Sequence, residues 1–244
     1  MKKFPALALA MTFILTACGA APAPSRLTTA AEQDALRSVM EAASLSQIDV
    51  FFDWVNDYNT AAANHALPTE EPDTNCRLTA FLLLQDAIQA APATDYGTYL
   101  MMDADELANN PRYACMRDKT GQFIALFNQV SVENARTEAD YLAAFPAAWS
   151  RRGVIFPGGG VSLVSVVMND SMDKALFIGH TGVLLEAEKT LWFIEKLAPD
   201  QPYQATQYAA REDLAAALLA RPEYTLGDED FHTFLLENDQ VLHK

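Results

Sequence analysis

Apolar residues recur every three or four positions through the first half of the chain. Leu36, Val39, Met40 and Ala43 share one stripe of a helix expected over residues 30–43. Ile48, Phe51, Phe52, Val55 and Tyr58 mark a second, aromatic-faced helix over 48–58. After a Pro- and acid-rich loop at 67–74, the run Cys76-Arg77-Leu78-Thr79-Ala80-Phe81-Leu82-Leu83-Leu84 is apolar nearly all round. That pattern belongs to a helix buried on every side, expected to start near Asp73–Asn75 and to run to about Ala90. Asp73, Thr74 and Asn75 are all good N-cap residues, which places Cys76 in the first turn. Residues 91–120 are mixed, with a short helical piece around 103–108. Residues 123–127 read as strand or helix, and 137–150 as a helix with Leu142, Phe145 and Trp149 along one side.

The pattern changes after the turn at Pro157-Gly158-Gly159-Gly160. β-rich runs at 161–168, 176–186 and 190–197 predict three strands, the last two joined as an antiparallel hairpin. A helix over 211–220 and a short helical segment within 228–236 close the chain. Helices first and strands later predict an α+β fold, with the central Cys-bearing helix packed on a C-terminal antiparallel sheet.

The N-terminus adds a destination. Lys2 and Lys3 precede an uncharged apolar run from Phe4 to Ile14, too short to span a bilayer and suited to a secretory signal. It ends in Leu15-Thr16-Ala17-Cys18-Gly19, which resembles the bacterial lipobox. The expectation is a signal peptide over 1–17, a lipidated Cys18 and a small, Pro-rich tether to residue 31. One domain then spans 32–244, anchored to the membrane on its extracytoplasmic face. Acyl chains on Cys18 would supply that anchoring.

Half of the residues are hydrophobic and a tenth aromatic, enough for a packed core of about 210 residues. The precursor carries a net charge of -15. Loss of Lys2 and Lys3 leaves 15 basic residues against 32 acidic ones, a balance that argues against nucleic acid as a partner. No cofactor is expected. No His, Cys and carboxylate cluster has zinc spacing, so no metal is expected either. The chain is expected to be a monomer.

Candidate chemistry centres on a thiol. A helix N-terminus lowers a thiol pKa, and a neighbouring imidazole completes a nucleophile–base pair. Of the four His residues, only His180 sits in an apolar strand, with Gly179 and Gly182 leaving room for another chain to approach. If Ala187 and Glu188 form the hairpin loop, Glu186 pairs with Lys189 and His180 falls opposite Glu195. Glu195 closes the buried-looking run Leu191-Trp192-Phe193-Ile194 and needs a partner there. Cys76 also has alternatives: a buried structural thiol, or a disulfide with Cys115.

Cys76, His180 and Glu195, on helix, strand and next strand, resemble the layout of papain-like cysteine peptidases. The compact NlpC-type and CHAP-type cell-wall peptidases and amidases are most similar. That resemblance implies a Cys76 nucleophile, a His180 base and a Glu195 orienter, with Asn75 assisting the oxyanion hole. It also implies a peptide or cell-wall-like substrate. The 104 residues from Cys76 to His180 exceed the compact spacing and imply an insertion around 91–150. A second resemblance, carried by Phe52-Asp53-Trp54-Val55-Asn56-Asp57-Tyr58-Asn59 and by residues 73–81, is to an exported-lipoprotein family of Firmicutes known only as a domain of unknown function. It implies one domain and no particular activity. A non-catalytic surface lipoprotein that binds a ligand or partner is the alternative function.

Overall fold

The structure is a computed structural model, and it describes residues 23–66, 74–224 and 233–243. Cys18, the signal segment and Asp73 lie outside the described residues. Mixed helix and antiparallel sheet form the architecture. Helices α1 (Ala30–Ala42), α2 (Ile48–Ala63) and α3 (Cys76–Leu84) come first. Helices α4 (Met101–Asn109), α5 (Thr120–Phe127) and α6 (Glu138–Arg151) follow, with the short strand β1 (Val130–Ser131) between the last two. Strands β2 (Val161–Asp170), β3 (Ala175–Ala187), β4 (Thr190–Lys196) and β5 (Tyr203–Tyr208) then lead to α7 (Arg211–Leu219). Strands β6 (Phe234–Glu237) and β7 (Gln240–His243) end the chain.

The strands make one antiparallel sheet in the order β5-β4-β3-β2-β6-β7, with β1 paired to the start of β3. Its two faces bury different layers. Val161, Leu163, Val167, Leu176, Ile178, Val183, Leu185 and Ile194 pack under the N-terminal helices. Val164, Val166, Leu184, Leu191, Phe193 and Leu235 pack under Leu214, Ala215 and Leu218 of α7 and Tyr224 beyond it. Both faces are covered, so the strands carry near-continuous apolar runs rather than a clean alternation.

Helix α3 is the hub. Every residue in it except Arg77 is buried, as its all-round apolar pattern predicts. It stops at Leu84, short of the expected Ala90. The long interval before β2 holds α4, α5, α6, three short 3-10 turns and β1. That interval accounts for most of the 104 residues from Cys76 to His180. Residues 123–127 resolve as helix, which begins at Thr120.

Three expectations need correction. The tail was expected to be helical within 228–236, but residues 234–237 form strand β6 against β2, satisfying an edge that would otherwise lack partners. Strand β5 was not expected at all. The tether does not extend to residue 31: Ser25 makes a β-bridge with Ala205 of β5, its N–H 2.9 Å from the Ala205 carbonyl and its carbonyl 3.0 Å from the Ala205 N–H. Leu27 is fully buried in the core beside the helices, and Thr29 with Glu32 forms a capping box at the start of α1.

Removal of the Leu27 side chain is therefore expected to behave as a core mutation. Leu27→Ala should cost about 2–5 kcal/mol in a urea titration, where a tether residue would cost nothing measurable.

Candidate functional site: a buried Cys, His and Glu

Two strand irregularities shape the site. The β3–β4 hairpin turns on Glu188 and Lys189, with Ala187 paired to Thr190 and Glu188 at φ 50°. The loop is thus one residue further along than Ala187-Glu188, and His180 is not directly opposite Glu195. The ladder runs from Ala187↔Thr190 to Val183↔Ile194. Continued, it would set Glu195 opposite Gly182, two residues from His180. A displacement by two preserves the face, so His180 and Glu195 still meet as diagonal neighbours. Gly182 makes this close passage feasible: a Cβ there would lie 2.5 Å from the Phe193 ring and 2.6 Å from the Ile194 carbonyl oxygen.

The second irregularity is a β-bulge. His180 pairs with Val166, whereas Ile178 pairs with Val167, so Gly179 is the extra residue on β3. It lies immediately before the imidazole and re-aims it. A Cβ on Gly179 would fall 2.2 Å from Met168 Sδ.

His180 and Glu195 are almost wholly buried, at 1 % and 0 % exposure. His180 Nε2 stands 2.6 Å from Glu195 Oε2. Nδ1 is then the ring nitrogen left for Cys76, whose thiol couples to the imidazole. The Thr181 backbone N–H adds a smaller pull on the thiol in the same direction. Cys76 and Cys115 are both free; Cys115 is exposed, whereas Cys76 is buried. The disulfide reading of Cys76 is set aside.

Three further residues complete the cluster. Arg221 grips Glu195 with both arms of its guanidinium, Nη1 to Oε2 at 2.8 Å and Nη2 to Oε1 at 2.7 Å. Gln204 of β5 donates Nε2 to Oε1 at 2.7 Å. The Tyr224 ring stacks on the imidazole with centroids 5.4 Å apart and planes 25° from parallel. None of the three is marked by a sequence motif. Arg221 and Tyr224 follow α7 across an interval of 41 residues from His180 to Arg221, so only the folded topology brings them to the pair.

The electrostatics follow from this enclosure. Burial pushes the Glu195 carboxyl up, but the hydrogen bonds from Arg221 and His180 and their charges outweigh it, holding the group down at about 2. Burial pushes the imidazole down, yet its bonds to Cys76 and Glu195 raise it to about 9. For Cys76, burial raises the thiol, while the His180 hydrogen bond and charge, the Arg77 charge and the Thr181 N–H bring it below its ordinary value. The set favours a thiolate–imidazolium pair, the reactive form of a cysteine nucleophile.

Asn75 occupies a different role from the one expected of it. Its Oδ1 caps α3 by accepting the Leu78 N–H at 3.0 Å, and its Nδ2 donates to Asp103. The side chain is held as a helix cap rather than presented as an oxyanion donor. By construction, the first amides of α3, Cys76 and Arg77, have no acceptor within the helix. They are the donors geometrically available beside the sulfur. Arg77 Nε pairs with the buried Asp103 at 2.6 Å, and its Nη1 donates to the Ile178 carbonyl at 3.1 Å. This locks the helix start against β3. Among the described residues, no group of three or more His, Cys, Asp or Glu side chains stands close enough to hold a metal ion.

A cavity of about 360 Å³ opens on Cys76, walled by α4, the start of α3, Gly179 and residues 197–199 after β4. The site is therefore a Cys–His–Glu constellation within a mixed α and antiparallel-sheet protein, with access from one side. The family model for DUF4300, a domain of unknown function, matches residues 67–242, and the chain belongs to that family. The match takes in all six residues of the cluster and begins after α2, so the Phe52–Asn59 segment lies outside it. No curated protein and no solved structure gives a match.

Truncation of Arg221 would strand the Glu195 charge. Arg221→Met is expected to cost about 3–5 kcal/mol at pH 7. Because the Glu195 pKa is depressed in the folded state, its stabilisation is present above its unfolded pKa of about 4.3 and lost as the pH falls toward about 2. In the variant the carboxyl takes up a proton more readily, so the gap from the parent should narrow at pH 3. Denaturant melts at the two pH values check both statements.

Proposed function

We propose that this chain is a lipoprotein anchored by Cys18 outside the cell membrane, bearing a thiol-dependent peptidase or amidase site of papain-like layout. The observation that carries this reading is the buried His180–Glu195 pair at 2.6 Å with the Cys76 thiol coupled to the same imidazole. A purely structural core would not gather a thiol, an imidazole and an ionised carboxylate into one water-poor site, because each charged form is costly there. Clustering of such shifted groups beside a cavity is a mark of function.

The roles follow from the geometry. The Cys76 thiolate attacks an amide carbonyl, and the imidazolium of His180 donates its Nδ1 proton to the leaving nitrogen. An acyl-thioester remains on Cys76. Water then attacks that acyl group while His180 takes up a proton, and the free acid departs with the thiol restored. Glu195, fixed by Arg221 and Gln204, keeps Nε2 protonated and the ring oriented. The first amides of α3 face the developing oxyanion. Lipid on Cys18 would confine substrate to what lies close outside the membrane.

Two measurements test the reading. Iodoacetamide should alkylate Cys76 rapidly at pH 6, well below the ordinary thiol pKa of about 8.5, and His180→Ala should abolish that reactivity at pH 6 by raising the thiol. A panel of fluorogenic peptide amides and peptidoglycan stem peptides should then be hydrolysed, with loss of about 10²–10⁴-fold in kcat/KM for His180→Ala. Stoichiometric ligand binding with a reactive thiol but no turnover would return the chain to a non-catalytic binding role. A Cys76 that reacts no faster than Cys115 at pH 6 would sink the nucleophile altogether.

A further inference from the structure

The cavity on Cys76 has an unbalanced wall. Asp103 and Glu106 lie three residues apart on α4, one turn from each other and on the same helix face. Both line the cavity, and Arg77 is the one positive side chain on its wall among the described residues. Arg77 is already engaged: its Nε pairs with Asp103, and its Nη1 holds the Ile178 carbonyl. Asp103 is matched twice over, by Arg77 and by Asn75. Glu106 has a neutral partner, the Asn110 Nδ2, 2.7 Å from its Oε2. Among the described residues the cavity therefore carries one negative charge without a cationic partner, on the same wall as the thiol. The remaining surface is largely apolar, supplied by Tyr99, Met102 and Pro199 among others.

A wall that is aliphatic and aromatic, with one carboxylate lacking a cationic partner, complements a particular shape of ligand. It fits an alkyl chain ending in an ammonium or guanidinium group, whose stem packs on the apolar surface while its head meets the carboxylate. An anionic group would meet repulsion from Glu106 and from the Cys76 thiolate together.

Building on the hydrolase reading, we infer that the cleft selects amide substrates with a cationic side chain beside the scissile bond, and that Glu106 is the residue that sets this preference. Glu106 takes no part in the bond-making steps. It acts on binding, ahead of the attack by Cys76.

Reaction of Cys76 with three methanethiosulfonates of different charge reads the cleft without a known substrate. In each case the thiolate sulfur attacks the reagent's sulfenyl sulfur, a disulfide forms, and methanesulfinate leaves. The probes are the 2-aminoethyl (cationic), methyl (neutral) and 2-sulfonatoethyl (anionic) reagents, applied to the full chain, with the modified Cys76 peptide quantified by mass spectrometry. The parent should prefer the cationic reagent over the anionic one. Glu106→Gln should lower that rate ratio about fivefold, the effect of a single charge in a partly solvated cleft, and leave the neutral reagent's rate unchanged. Glu106→Lys should lower it further, and Glu212→Gln, an exposed change on α7, should leave it alone. A ratio that is the same in parent and Glu106→Gln overturns this inference, even with Cys76 highly reactive. A Cys76 unreactive toward all three reagents overturns the hydrolase reading beneath it. With fluorogenic acyl-Lys, acyl-Leu and acyl-Glu amides, kcat/KM should fall in that order, and Glu106→Gln should flatten the series. A flat series in the parent also counts against the inference.

Discussion

Everything about this site depends on keeping Glu195 ionised where no water reaches it. An unpartnered carboxylate at that depth would be neutralised or would unfold its surroundings. Arg221 supplies two charge-assisted hydrogen bonds, Gln204 a third and His180 a fourth. These donors come from three places in the chain, the turn after α7, β5 and β3, and converge on an acceptor held by β4. The arrangement of those elements is thus coupled to one anion. The sheet order places β5 beside β4 and β3 on its other side, and α7 brings Arg221 over the face where His180 and Glu195 project. Tyr224 seals the imidazole from the same side.

The thiol reaches this pair from the opposite direction. Helix α3 packs under the other sheet face, with Val183, Leu185 and Ile194. The imidazole belongs to the α7 side. Contact across the sheet is feasible because the β3–β4 ladder ends at Val183↔Ile194 and because the bulge at Gly179 disturbs β3 on its other edge. The Arg77–Asp103 pair then fixes the helix start, and through it ties α4 to Cys76. The helices between α3 and β2 are in this sense part of the site: α4 contributes a wall of the cavity on Cys76.

Much of this was legible in the chain. The all-round apolar run of 76–84 marked a central helix, and its cap residues placed Cys76 in the first turn. His180 and Glu195 stood out as polar residues in otherwise buried strands. Their meeting survived an error in the hairpin loop because a strand has period two, and the error was a whole period. Strand β5 was illegible for a physical reason: Gln204 and Thr206 are polar yet buried, one against Glu195, so Tyr203–Tyr208 lacks the apolar run that marks a strand. Strand β6 was read as helix because Phe234-Leu235-Leu236 is too short to carry a period. Arg221 could not be found by spacing, since its partner lies 26 residues away on a different element. Asn75 was identified correctly as a cap-type residue, and that very competence at capping is what occupies its side chain.

The bridge between Ser25 and Ala205 has a consequence for geometry at the cell surface. Ser25 is seven residues after Cys18. Even fully extended, such a stretch covers only about 25 Å. A lipid on Cys18 would hold the domain close above the bilayer, like a buoy on a short chain rather than a long mooring. The stretch would attach at the outer strand of the sheet, so the β5 edge would be the side turned toward the membrane. Such a short reach would limit where the molecule could look for a substrate, and the strand it would be moored to is the same one that steadies Glu195 through Gln204.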